Sequence, residues 1–394
     1  MQLSATVAII GGFGLGNFGD DLLMLATQHV LRRVVPAEQI TVLLYPGGRR
    51  YAPRLQADLN YVERGEPIEL TAQLVVLGGG TQFYGFGSKQ LRRSVPERTA
   101  RYIQALRQGR MSWRNLFTAS RTTVTLAPTC RQAAVSLGLG PFLNEPAEDR
   151  ARDAVGKCEF LAVRDSSSLA FCQKWGLHQA CLRSDWGFAP QLWGGTFPNS
   201  SAMTRQGRIG IIVRDWYKSA AGFAHLHACL ELAATLRREG REVQFFVFDA
   251  CEDTTCLREL RRHNERVVVW QPERMQVSEQ LEKLLACDLL VTARAHGAIV
   301  AATLGRPAVC VEIEPKLNIM ASLLGRAAEC WRPPFQVQEG MALVDSMENR
   351  WDEACRTARE LSQHHARSAE QAAEELAAFT GQCVSADARS PVTP

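Results

Sequence analysis

The chain has no apolar run approaching the ~20 residues that a membrane-spanning helix needs, and residues 1–20 turn glycine-rich before a signal-peptide pattern can complete. A cytoplasmic protein is therefore expected. No C-x-x-C pair is present. The twelve cysteines are scattered from Cys130 to Cys383, and the closest two, Cys251 and Cys256, lack a neighbouring pair. A zinc site needs tighter clustering, so the expectation is no metal and reduced, buried thiols. Strong charge of one sign is also lacking: 45 basic against 41 acidic residues leave +4, and no nucleic-acid-binding motif accompanies them. Nucleic acid is not an expected partner. With 46% apolar and 22% charged residues over 394 positions, the composition is that of a globular protein of roughly two domains, at about 150 residues each.

Charge is uneven in one place. Residues 89–121 carry nine basic side chains and one acid, Glu97, interleaved with Tyr102, Ile103, Leu106, Trp113 and Phe117. A basic amphipathic stretch of this kind can make peripheral contact with an anionic membrane at its inner face, or guide an anionic acceptor; a plain solvated face is the favoured reading.

The first half has the rhythm of an α/β fold. Residues 6–10 read as a buried strand running into Gly11-Gly12-Phe13-Gly14-Leu15-Gly16-Asn17-Phe18-Gly19-Asp20-Asp21, and an apolar-periodic helix follows until Pro36. Gly14, Gly16 and Gly19 fit the dinucleotide spacing. However, the next strand, 40–44, ends in Tyr45-Pro46-Gly47-Gly48-Arg49-Arg50 without the acid that holds a ribose. Asp20 and Asp21 would also face the pyrophosphate, so acid here argues for hydroxyls instead. A strand at 74–77 leads to Gly78-Gly79-Gly80-Thr81, where glycines admit a close backbone approach. The two glycine-rich loops should lie side by side. Residues 122–126 read as a strand and 137–142 as the turn after it. Arg164-Asp165-Ser166-Ser167-Ser168 follows a strand at 160–163, with a serine expected to cap the next helix. Asp165 and Asp185 are candidate cleft carboxylates.

Between 190 and 207 the chain is rich in Gly, Pro, Asn, Ser and Thr, which marks a boundary. The division is 1–195, 206–344, a helical segment at 345–380, and a disordered tail at 385–394. In the second domain a strand at 208–213 ends at Arg214-Asp215-Trp216, and a later one at 289–292 ends at Arg294-Ala295-His296-Gly297 before a helix and a strand reaching Pro315-Lys316. Ligands in open α/β sheets bind beyond the carboxyl ends of strands. A helix N-terminus there suits an anion, Arg offers a planar fork of donors, and His carries a proton near neutral pH. Convergence of Arg214, Arg294, His296, Gly297 and Lys316 on one ligand is the expectation.

These features resemble the polysaccharide pyruvyl transferase family. The resemblance rests on Gly16-Asn17-Phe18-Gly19-Asp20, Leu77-Gly78-Gly79-Gly80-Thr81, Gly138-Leu139-Gly140-Pro141, Val163-Arg164-Asp165-Ser166, Val213-Arg214-Asp215-Trp216, Arg294-Ala295-His296 and Pro315-Lys316, in family order. It implies an α/β fold of two Rossmann-like domains in a GT-B-like arrangement with a closing C-terminal helix. It also implies transfer of the enolpyruvyl carbons of phosphoenolpyruvate to two hydroxyls of a glycan or lipid-linked saccharide, with no other cofactor. By resemblance Arg214, Arg294, His296 and Lys316 fall on the donor, with Gly297 at the helix start, and Asn17 and Asp20 on the acceptor, near Gly79 and Gly80. His296 is the expected acid; Asp20, then Asp185, the expected base. Ala295, Glu314 and Asp21-Leu22-Leu23 depart from the family's pattern. A GT-B glycosyltransferase using a nucleotide sugar is the alternative reading, and a sugar-binding relative with a dead donor site a third.

Overall fold

A computed structural model describes residues 1–85, 123–195 and 205–387. The basic stretch at 89–121 and residues 388–394 of the expected tail lie outside the described residues. Two parallel sheets organise the chain. The first comprises β1 (Gln2–Ile10), β2 (Ile40–Leu44), β3 (Asn60–Glu63), β4 (Ile68–Gly85), β5 (Val124–Leu126), β6 (Arg131–Phe142), β7 (Phe160–Val163) and β8 (Ala180–Leu182). Their order is β3-β2-β1-β4-β6-β7-β8, with β5 beside β4. The second comprises β9 (Arg208–Val213), β10 (Glu242–Val247), β11 (Val267–Val269), β12 (Leu289–Thr292), β13 (Ala308–Val311) and β14 (Ala328–Trp331), ordered β11-β10-β9-β12-β13-β14. Parallel strands need crossovers, which cover both faces and explain why β2, β12 and β13 are buried at every position.

The helices are α1 (Phe18–Leu31), α2 (Ala52–Leu55), α3 (Glu145–Val155) and α4 (Ser166–Lys174) around the first sheet. Around the second are α5 (Ala220–Arg238), α6 (Thr254–Arg262), α7 (Val277–Leu285), α8 (Ala295–Thr303) and α9 (Pro315–Leu324), followed by α10 (Val337–Asn349) and α11 (Trp351–Asp387). The long α11 returns to pack against α1 and α8. It is tied to the first domain by the Arg183–Glu375 ion pair at 2.5 Å.

Each sheet has one switch point, where strand order reverses and a crevice opens. In the first it lies between β1 and β4, where Ile10 pairs with Leu77, so the glycine-rich loop after β1 lies beside the Gly78-Gly79-Gly80 stretch of β4. In the second it lies between β9 and β12, where Ile212 pairs with Thr292. Arg214 and Arg294 each stand two residues beyond that pair. The two domains are joined by one hydrophobic core, in which Val7, Leu22 and Val76 share a cluster with Phe246, Trp270, Leu290 and Ile299. Phe18 donates its N–H to the Phe248 carbonyl at 2.9 Å and packs edge-on against the Phe248 and Trp270 rings. Asp21, wholly buried, accepts from Tyr51 Oη at 2.9 Å and from Trp270 Nε1 at 2.8 Å. It is not among the cavity-lining residues; it is part of the joint.

Three local expectations change. Gly78-Gly79-Gly80 lies inside β4, not after it, and 137–142 is the end of β6 rather than a turn. The cap of α4 is Asp165, which accepts from the Ser168 N–H at 2.8 Å, while the Ser168 hydroxyl accepts from the Leu139 N–H.

Candidate functional site

The two crevices face each other across a cavity of about 790 Å³. Its walls include Asn17, Asp20, Gly79, Gly80 and Arg164 from the first domain and Arg214, Arg294, Glu314 and Lys316 from the second.

Arg164, Arg214 and Arg294 are each backed by a buried carboxylate. Arg294 reaches Asp253, itself wholly buried, at 2.5 Å. Arg214 pairs with Glu314, which also holds the Lys316 ammonium at 2.9 Å. Arg164 reaches Asp185 at 2.7 Å and donates to the Thr81 hydroxyl at 2.8 Å. The Nε atoms of Arg164 and Arg294 are buried and find no hydrogen-bond partner among the described residues. Glu314 stands at the N-cap position of α9 but makes no side-chain cap bond; its carboxylate turns to the two cations instead. Burial raises its proton affinity, but Lys316 and Arg214 overcome that and hold it below the ordinary range. Lys316 is lowered to about 8, chiefly by burial, with Glu314 opposing and Arg214 and Arg164 adding to the shift. Asp253 is pushed up by burial and by Asp249 and Asp215, against the pull of Arg294.

On the opposite wall Asn17 caps α1, its Oδ1 accepting from Gly19 N–H at 3.1 Å and Asp20 N–H at 3.4 Å. The Asp20 carboxylate lies close over the backbone of Gly12 and Gly80, where an added Cβ would come within 3.2 Å of its oxygens. Gly79 and Gly80 have φ of 82° and 79°, a region favouring glycine, and their bare backbone leaves that space open. Burial holds the Asp20 carboxyl above its ordinary range, opposed by His296, reinforced by Asp249, and opposed again by Arg294 and Lys316.

Three expected site residues lie elsewhere than foreseen. His296 is not among the cavity walls. Its ring packs on Gly19, where a Cβ would stand 2.0 Å from Nδ1, and its buried Nε2 lies 3.7 Å from Asp185. Direct donation to a ligand in the cavity is not what this position offers; its charge acts on Asp20 and Asp185. Asp185 is not a cavity base either. It accepts from Gly187 N–H at 2.8 Å and neutralises Arg164. Burial pushes its carboxyl up, but His296, Arg164 and the Gly187 N–H together drive it well below the carboxylate range. Gly297 faces the core: a Cβ there would lie 2.1 Å from Thr292 Oγ1. Asp165 lines the cavity yet is engaged as a cap. Arg164 and Glu314 were named in sequence but not as ligand-binding residues, and Asp253 was not named, although an arginine closing a buried strand was the same signal that marked Arg214 and Arg294.

Among the described residues no helix is long and apolar enough to cross a membrane, and no group of His, Cys, Asp and Glu could hold a metal ion.

The architecture is that of the GT-B glycosyltransferases. The Anabaena protein HepE, solved with UDP and glucose, matches with a TM-score of 0.51 at 10% identity, over 95% of this chain and 99% of that one. A glycosyltransferase from Rickettsia africae matches with a TM-score of 0.50 at 7% identity, over 97% and 99%. At such identities the likeness shows the fold alone. No curated protein matches the sequence. The family model for polysaccharide pyruvyl transferase matches residues 17–315, and the chain belongs to that family.

Proposed function

We propose that the protein transfers the enolpyruvyl carbons of phosphoenolpyruvate to two hydroxyls of a saccharide, closing a pyruvate ketal and releasing phosphate. The observation that supports this is the gathering of Arg214, Arg294 and Lys316 on the second-domain wall of one cavity, with Arg164 and Asp20 on the first-domain wall facing them. A donor with a phosphate and a carboxylate needs several fixed cations, and fixed cations cost no reorganisation as charge shifts during reaction. Guanidiniums already backed by carboxylates keep their orientation when the ligand leaves.

Asp20 is the proton handler in this reading. Its carboxyl, held above the ordinary range, gives its proton to the donor methylene, which becomes the methyl group. The adjacent carbon becomes oxocarbenium-like and takes the first saccharide hydroxyl, whose proton returns to Asp20. The C–O bond to phosphate then breaks, the second hydroxyl closes the ring, and its proton goes to the departing phosphate. General acid–base help of this kind contributes roughly 10²–10⁴-fold. His296 acts behind Asp20 as a positioning residue, its charge setting that carboxyl's proton affinity.

Calorimetric titration tests the donor. Phosphoenolpyruvate should bind, and Arg294→Ala and Arg214→Ala should each weaken it at least tenfold. Binding of UDP-glucose with none of phosphoenolpyruvate would replace this reading with a nucleotide-sugar transferase.

A further inference from the structure

The cavity is much larger than the donor requires. Its 790 Å³ lies high in the range of roughly 300–1,000 Å³ that takes drug-sized ligands, whereas phosphoenolpyruvate is three carbons and a phosphate. Part of the remaining wall is aromatic and comes from both domains. Tyr84, near the end of β4, is 46% exposed although it lines the cavity. Trp216 and Lys218 come from the loop between β9 and α5. The Lys218 ammonium stands 4.0 Å from the Tyr84 ring centroid and 4.9 Å from that of Trp216. Arg214 stands 4.4 Å from the same Trp216 ring. One indole therefore stands next to both the donor-side Arg214 guanidinium and the Lys218 ammonium, which in turn meets the Tyr84 ring.

This wall is built rather than loose. Asp215 accepts from the Thr255 and Cys256 N–H groups at 2.7 and 2.9 Å, which fixes the loop to the start of α6. Gly222 allows α5 to close on the loop, since a Cβ there would lie 1.8 Å from the Trp216 carbonyl oxygen. A half-exposed Tyr84 ring inside a cleft, beside a rigidly held and buried Trp216 indole, is the arrangement expected of a contact surface, because aromatic rings give large area at low entropy cost.

We infer that Tyr84 and Lys218, backed by Trp216, form the acceptor subsite: a pyranose ring lies on the Tyr84 phenol, and the Lys218 ammonium donates to its oxygens. The inference rests on the donor reading above and specifies where the second substrate sits and which side chains select it. Stacking presents the edge of a sugar ring, where its hydroxyls are, toward Arg214 and the donor beyond it. The subsite is complete only when both domains are in contact, since Tyr84 belongs to one and Lys218 to the other.

Saturation-transfer NMR with the methyl glycosides of glucose, galactose and mannose tests this on the full chain. At least one glycoside should receive saturation from the wild-type protein. Tyr84→Ala should weaken that binding by roughly three- to tenfold, the worth of a lost aromatic contact. Tyr84→Trp should keep it, and Lys218→Met should weaken it. Calorimetric binding of phosphoenolpyruvate should be unchanged in Tyr84→Ala. Tyr84 is half exposed, so the variant is expected to fold, and circular dichroism checks that it does. No signal from any glycoside with the wild-type protein, or equal signals from wild type and folded Tyr84→Ala, overturns the subsite. Glycoside binding that depends on Tyr84 in a protein that ignores phosphoenolpyruvate would leave the subsite standing and remove the donor reading instead.

Discussion

The joint between the domains decides whether the two crevices form one site, and Asp21 is its most exacting element. Its carboxylate is wholly buried, with Tyr51 Oη on one oxygen and Trp270 Nε1 on the other. Hydrogen bonds to a charged group are worth about 1.5–3 kcal/mol each. Asp21→Ala removes both, so a loss of about 3–5 kcal/mol is expected. Trp270→Phe removes one bond and some packing. In the Asp21→Ala background the indole N–H is already an orphan, so removing it costs only the packing. The double-mutant cycle should therefore show a coupling of about 1.5–3 kcal/mol. Urea unfolding followed by circular dichroism measures it, and a single transition is expected because one core runs through both domains. A coupling under about 0.5 kcal/mol, or two separate transitions, would refute the argument that this buried carboxylate holds the domains as a unit.

Four further outcomes follow from the site. Donor affinity should fall by up to tenfold per unit above pH 8, because Lys316, lowered to about 8 chiefly by burial, must be charged to hold an anion; Lys316→Arg should remove that fall in a calorimetric pH series. Glu314→Gln should move the same fall to lower pH, since Glu314 is the group that raises the proton affinity of Lys316; an unchanged midpoint would show that the carboxylate does not set it. Gly19→Ala should displace the His296 ring, which leaves a Cβ only 2.0 Å, and, like His296→Ala, should lower turnover on the order of a hundredfold while the phosphoenolpyruvate dissociation constant stays within about threefold. Wild-type rates in His296→Ala would remove that residue from the proton path. Asp20→Asn should abolish turnover with donor binding retained, and a variant that still releases phosphate at the wild-type rate would transfer the proton role elsewhere.

How far the site could be read from sequence depends on what fixes each side chain. Arg214 and Arg294 were legible because each ends a buried apolar run, and the doubly wound order then puts β9 beside β12 with Ile212 opposite Thr292. Glycines misled where a strand carries them. Gly138 lies within β6 because the Arg164 guanidinium covers it, so closely that a Cβ would be 2.8 Å from Nε; the turn signal and the space for a buried arginine are the same residue. His296 and Gly297 misled for a helical reason. Arg294 is the N-cap of α8 and the next residues begin its first turn, so successive side chains swing by about 100°. Arg294 points into the cavity, His296 toward Gly19 and Asp185, and Gly297 into the core against Thr292. A loop motif specifies where the chain turns, not which of its side chains faces the ligand. The carboxylates that complete the site were beyond reach for another reason: Glu314 is a hundred positions from Arg214 and Asp253 forty-one from Arg294, and only the folded sheet brings each acid to its cation.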